Sequence, residues 1–263
     1  MDKFISKELN DFQNHTFDFD NQHKTTYDDW VKSFEKAIAK RAEPNCFLGM
    51  SSGYDSGAIA CALLKLGIPF KAYIFKGLEN QAILKEREKL VNYEYFTTQD
   101  EVWKILKDKI NNKRYTIKYE GKVTDMRILD DGGAKGVGTI AKLGKEDNGT
   151  VCLSGQGADE ILSDYAQYQF QSELKGIFPE KLKEWYNFKD GCNYSYMMKE
   201  DEINKVFDTE SRYPYLDIDL VQEFLWLTPE LKNKHYKAPL RHYLKTNNFP
   251  FKEGIKIGFS VEI

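Results

Sequence analysis

The chain has 263 residues, 41% hydrophobic and 30% charged, the balance of an ordinary globular protein large enough for one α/β domain. A formal net charge of −3 argues against a nucleic-acid binder that works by bulk electrostatics. No stretch approaches the roughly 20 apolar residues that span a bilayer. The opening Met1-Asp2-Lys3-Phe4 lacks the apolar segment of a secretion signal, so the chain reads as cytoplasmic.

Residues 1–27 are polar with weak periodicity and read as an irregular arm or a short helix. From Thr26 to Arg41, apolar residues at Trp30, Phe34, Ala37 and Ile38 recur at helical spacing. Cys46-Phe47-Leu48-Gly49-Met50 reads as a buried strand running into a turn. A strongly apolar helix follows over Gly57–Leu66, stopped by Gly67 with Pro69 beyond it. Phe70–Phe75 reads as a second strand, Asn80–Asn92 as a helix and Tyr93–Phe96 as a third strand. Alternating strands and helices predict a parallel sheet with right-handed crossovers.

Asp100–Ile110 is again helical, while Lys113–Asn148 is glycine-rich and ambiguous. Within it, Gly136-Val137-Gly138-Thr139-Ile140-Ala141 imitates a dinucleotide fingerprint, but it follows polar residues instead of a buried strand and is read as a flexible loop. Thr150–Leu153 reads as another buried strand. Beyond it the chain reads as helical and aromatic, clearest over Leu220–Leu227 and Ala238–Lys245. The expected architecture is an arm over 1–27 and an α/β domain over 28–263, with a helical lobe from about 165. The four cysteines, Cys46, Cys61, Cys152 and Cys192, are dispersed and read as free thiols.

Two loops carry the chemistry, and each leaves the carboxyl end of an expected parallel strand, where open α/β sheets bind ligands. Ser51, Ser52 and Gly53 turn sharply into a helix beginning near Asp55. Such a turn points backbone N–H groups outward at the positive end of a helix dipole, and Ser51 and Ser56 add hydroxyl donors for phosphate oxygens. Asp55 would repel an anion unless a cation lay between them, which implies Mg²⁺. Ser154-Gly155-Gln156-Gly157 repeats the pattern, with Asp159 at the start of the next helix. Taken singly, each turn also fits a plain helix cap.

Together these residues resemble a known family, the asparagine synthetase branch of the PP-loop ATP pyrophosphatases. Its S-G-G-x-D-S motif is matched by Ser51-Ser52-Gly53-Tyr54-Asp55-Ser56, and its L-S-G-E-G-x-D-E motif by Leu153 through Glu160. Arg212-Tyr213-Pro214-Tyr215-Leu216-Asp217, Lys237-Ala238-Pro239-Leu240-Arg241 and Lys256-Ile257-Gly258-Phe259-Ser260 follow in the family's order. The resemblance implies a PP-loop core of the adenine nucleotide alpha hydrolase type with a helical C-terminal lobe. It also implies that ATP is split to AMP and pyrophosphate while a carboxylate is activated as an acyl-AMP for attack by an amine. Ser51, Ser52, Gly53, Asp55 and Ser56 would grip the phosphates, and Asp55 and Asp159 would hold Mg²⁺. Backbone groups near Leu48, Ile74, Ser154 and Gly155 would bind adenosine, and Lys256 would stabilise developing charge. Asp130 and Asp131 fall where the family contacts substrate and are candidate amine ligands, although a solvated loop also accounts for them.

Three departures shape the expectation. The material before the first motif is too short for a glutaminase domain, so the amine would be free ammonia, a small amine, or ammonia from a separate glutaminase subunit. Gln156 stands where asparagine synthetases carry Glu and β-lactam synthetases carry Tyr. An amide orients groups but accepts no proton near pH 7, which argues against aspartate as the substrate. Ser52 replaces a glycine and is expected to restrict the loop's backbone. A tRNA-modifying enzyme and an inactive ATP-binding subunit are the alternatives. The first lacks a catalytic cysteine pair, and the retained Asp55, Asp159 and Lys256 speak against the second. Lys232, Lys234, Lys237, Arg241, Lys245 and Lys252 make the C-terminal part basic, read as a solvated face or an anion-attracting rim. The expected pathways are surface-polysaccharide or small-metabolite biosynthesis.

Overall fold

The computed structural model describes residues 7–77, 79–119, 122–130, 132–163 and 178–253. Helices α1 (Lys7–Asn14) and α2 (Asp28–Arg41) precede the first strand, β1 (Cys46–Gly49). There follow α3 (Tyr54–Lys65), β2 (Phe70–Phe75), α4 (Gln81–Arg87), β3 (Tyr93–Phe96) and α5 (Asp100–Ile110). A hairpin of β4 (Arg114–Tyr119) and β5 (Lys122–Arg127) leads to α6 (Ala134–Glu146), β6 (Val151–Leu153) and α7 (Ala158–Leu162). The remainder holds α8 (Tyr186–Lys189), α9 (Gly191–Val206), β7 (Glu210–Arg212), α10 (Ile218–Trp226), α11 (Pro229–Asn233) and α12 (Ala238–Thr246). No helix among the described residues is long and apolar enough to cross a membrane.

Five strands form one parallel sheet in the order β3-β2-β1-β6-β7, so the expected α/β class holds. The chain first builds outward from β1 to β2 and β3, then returns to add β6 and β7 on the other side. The reversal lies between β1 and β6, and a crevice opens there beyond the strands' carboxyl ends. β1 and β6 meet at Phe47 opposite Cys152, so their outgoing loops start side by side.

Helix α3 is apolar on nearly every face, and Tyr54 and residues 56–63 are all buried. That is the composition of a helix enclosed between layers. Its outer partners are aromatic: Trp30 stacks on Phe34 at 5.3 Å, and Phe34 contacts Tyr215 at 5.6 Å and Tyr243 at 5.2 Å. This brings α2, the Pro214–Leu216 turn and α12 together against α3. Cys46, Cys61, Cys152 and Cys192 are free, the first three buried.

Three elements differ from the sequence expectation. Gly136–Ala141 is no loop but lies inside α6. Its glycines serve close packing: a Cβ on Gly138 would come within 2.9 Å of Leu106 and Val102, and one on Gly144 within 2.5 Å of the Phe47 ring. The stretch read as wholly helical also contributes β7, whose three residues are too few to show a period of two. Helix α4 stops at Arg87, because the Leu90 and Val91 amides fold back onto the Arg87 carbonyl and turn the chain into β3.

Candidate functional site

Both chemistry-bearing loops open into one cavity of about 390 Å³ at the β1/β6 reversal. The structure brings Ser51, Gly53, Asp55, Ser56, Ser154, Gly155, Gln156 and Asp159 to its walls. The loops touch one another, since a Cβ built on Gly155 would lie 3.2 Å from the Asp55 Cβ. Leu48 and Ile74 are fully buried in the core, and their neighbours Gly49, Met50, Tyr73 and Phe75 line the cavity instead.

The two carboxylates converge on a single cation, and it belongs to the chain. Lys237 Nζ donates to Asp55 Oδ1 at 2.6 Å and Oδ2 at 2.7 Å, and lies 2.8 Å from Asp159 Oδ1. Tyr236 donates to that same Asp159 oxygen at 2.9 Å. The Lys237 side chain is only 2% exposed, against 25% for Asp55 and 18% for Asp159. Burial alone would lower the lysine, but the Asp159 and Asp55 charges outweigh it and hold its ammonium well above the ordinary value. Burial pushes the Tyr236 phenol up as well, so it stays a donor.

Lys237 therefore departs from the solvated-face reading of the basic C-terminal part, since it is buried and lines the cavity. It caps the start of α12 in the left-handed region, at φ 44° and ψ 51°, a conformation that costs a lysine about 1–2 kcal/mol. That geometry turns the side chain back toward the carboxylates. The sequence signal is a lysine directly before Ala238-Pro239, where a helix starts without a Ser, Thr, Asp or Asn cap. Lys232 is no rim residue: it is 1% exposed and donates to the Leu225 and Leu227 carbonyls and to Gln22. It satisfies backbone groups left open at the end of α10.

The first loop is braced internally. Ser51 and Ser56 hydroxyls lie 3.0 Å apart, the Ser51 amide donates to Ser56 Oγ at 3.0 Å, and the Gly53 amide donates to Ser51 Oγ at 3.1 Å. Ser52 is not in the left-handed region, so its Cβ does not restrict the loop as expected. Its amide donates to Glu79 Oε2 at 2.8 Å and its hydroxyl to the same oxygen. Ser52 itself is buried and does not line the cavity. Behind the loop, Tyr215 donates to the Asp55 carbonyl at 2.8 Å. The Arg212–Asp217 motif is thus a brace: Arg212 pairs with Glu43 and Glu210, and Asp217 pairs with Arg41.

The far wall comes from α6 and α9 and includes Val137, Ile140, Tyr196, Lys199 and Glu200. Glu200 accepts from Ser154 Oγ at 2.5 Å, and the Gln156 amide donates to the same hydroxyl at 3.2 Å. Sequence reasoning missed Tyr196, Lys199 and Glu200, because a polar triplet on a helix carries no motif.

Asp130 does not reach the cavity. It is exposed and paired with Arg127 at 2.7 Å, so it behaves as a solvated turn residue. Asp131 and Lys256 lie outside the described residues. His242 packs on the Tyr27 ring at 4.8 Å, and among the described residues no group of three or more His, Cys, Asp or Glu gathers as a metal site.

No protein-family model matches the chain, and no curated protein does. Among solved structures it is similar to NMN synthetase from Francisella tularensis, with 10% identity and a TM-score of 0.36 over 90% of this chain and 100% of that one. A likeness at that level carries nothing about ligands, and the chemistry rests on the geometry of the cavity itself.

Proposed function

We propose that the protein is a magnesium-dependent ligase that splits ATP to AMP and pyrophosphate and joins an activated carboxylate to an amine. The supporting observation is the convergence of Asp55 and Asp159 on one ammonium, within 2.6–2.8 Å, at the reversal point of a parallel sheet. Two carboxylates so arranged suit Mg²⁺, which is commonly held by one or two carboxylates with the rest of its shell from water and substrate phosphates. The bound ion would neutralise the phosphate oxygens of ATP.

The chain's own residues supply the rest. The Ser51 and Ser56 hydroxyls, which line the cavity, bind polyphosphate oxygens at the start of α3. The acid's carboxylate oxygen attacks the α-phosphorus, and the bond to the bridging oxygen breaks to release pyrophosphate. With the ion on the two carboxylates, Lys237 would be released from them to balance the charge that develops on that oxygen. The amine then attacks the acyl carbon, AMP leaves, and the amine gives up a proton. Gln156 orients these groups, and Glu200 on the far wall is the carboxylate that takes the proton. A neutral amide at position 156 favours an acid other than aspartate, with ammonia or a small amine as acceptor.

The test is to supply ATP, Mg²⁺ and pools of carboxylates and amines, then to measure AMP and pyrophosphate. Asp55→Asn and Asp159→Asn should each abolish pyrophosphate release without changing the circular dichroism spectrum. Exchange of labelled pyrophosphate into ATP, dependent on the acid but not the amine, identifies the activated partner. Release of ADP and phosphate instead would overturn the adenylation reading.

A further inference from the structure

Arg87 is fully buried behind the first loop, and it does not line the cavity. Its three hydrogen bonds among the described residues all end on backbone carbonyls. It donates to the Ser51 carbonyl, to the Gly53 carbonyl at 2.9 Å and to the Pro250 carbonyl at 3.0 Å. The Phe249 ring covers it, with its centroid 5.1 Å from the guanidinium carbon. Burial lowers the guanidinium to about 10, so it remains a cation at neutral pH.

The consequence follows from peptide geometry. In a trans peptide the C=O and the next residue's N–H point in opposite directions. Drawing the Ser51 and Gly53 carbonyls back onto Arg87 therefore turns the Ser52 and Tyr54 N–H groups forward. The Ser52 amide already binds an anion, the Glu79 carboxylate at 2.8 Å, and Glu79 lines the cavity. Tyr54 is the first residue of α3 and lines the cavity, at the positive end of the helix dipole.

A second observation is steric. A Cβ on Gly57 would lie 2.7 Å from the Arg87 guanidinium carbon and 2.8 Å from Nη1. Any larger residue at 57 would push the fork out of its seat. The helix tolerates glycine here, although glycine costs about 1 kcal/mol relative to alanine.

We propose that Arg87 is the positioning residue of the phosphate loop. Its planar fork sets the Ser51 and Gly53 carbonyls from behind, which fixes the Ser52 and Tyr54 amides on the opposite side and holds the loop in shape at the cavity, and its third bond ties the loop to the segment after α12. This rests on the reading of the loop as a polyphosphate site. Lysine cannot replace it, because a point charge does not span two fixed carbonyls as a planar fork does.

The measurement is calorimetric titration of magnesium pyrophosphate and of Mg-ATP into the wild type, Arg87→Lys, Arg87→Met and Gly57→Ala, alongside thermal melts. Arg87→Lys and Arg87→Met should each weaken both ligands by about 10- to 100-fold, the range seen when residues behind a ligand set are removed. Gly57→Ala should weaken binding too, although Arg87 is still present. In the Arg87→Met background the same change should cost nothing further and should raise the melting temperature. Gly57→Ala also serves if Arg87→Met fails to fold. Variants that melt lower yet bind both ligands as the wild type does would reduce Arg87 to a structural role and overturn the proposal. A wild type that binds neither ligand would instead remove the nucleotide reading, and the proposal with it.

Discussion

Gly155 and Asp55 touch across the cavity floor: a side-chain carbon on the glycine would sit 3.2 Å from the aspartate's Cβ. Two loops distant in the chain are thus held at contact distance by the absence of one methyl group. Asp55 and Asp159, which converge on Lys237, extend from these two loops.

Gly155→Ala should therefore damage nucleotide binding more than stability. Overpacking by one methyl costs on the order of 1–3 kcal/mol, and here the strain falls on the carrier of one carboxylate. The expected result is a clear loss of Mg-ATP affinity with a melting temperature only a few degrees lower. Unchanged affinity would show that the two loops do not act as one site.

Lys237→Met should make the protein's stability depend on magnesium. Without the ammonium, Asp55 and Asp159 are left facing each other, and breaking a buried ion pair from one side costs about 3–5 kcal/mol. A divalent ion should restore much of that loss, because it binds the folded state alone. Thermal melts with and without MgCl₂ read this directly: the variant should gain several degrees, the wild type far less. Equal gains in both would mean that Lys237 does not occupy the cation position.

Acid sensitivity should pass through Asp217. Its carboxylate lies 2.7 Å from Arg41, and both side chains are nearly inaccessible. Desolvation raises its pKa, but the hydrogen bond and charge of Arg41, helped by Lys40, outweigh it and hold the carboxyl below its ordinary value of 3.8. The unfolded chain therefore takes up the proton first as pH falls. The stabilisation is fully present above that value and is lost as pH drops through the depressed one. Asp217→Asn should cost about 3 kcal/mol at pH 7, and the gap in urea midpoint should narrow toward pH 3. A gap that stays constant with pH would contradict this assignment.

Helices and strands with strong periodicity are legible in the residues themselves. Phe70–Phe75, Tyr93–Phe96 and Asp100–Ile110 have the expected bounds, because a short aromatic or aliphatic run between turns and the period of a one-sided helix are both local properties. The loops after β1 and β6 are legible for a related reason: small residues before an acidic helix start are a local property. Helix α6 defeats the same reasoning because its glycines answer to Phe47, Val102 and Leu106 on other elements. Local propensity cannot report a neighbour.

The residues of the two loops, with Asp55 and Asp159 among them, follow from sequence alone, since backbone turn chemistry and charge are carried within a few consecutive positions. What tertiary structure decided is everything that depends on two segments meeting. It seats Lys237 between the carboxylates, turns Arg87 onto the back of the loop, adds Glu200 to the cavity wall and leaves Asp130 in solvent. Each of these is a distance between groups far apart in the chain, and such distances are set by how helices pack on the sheet.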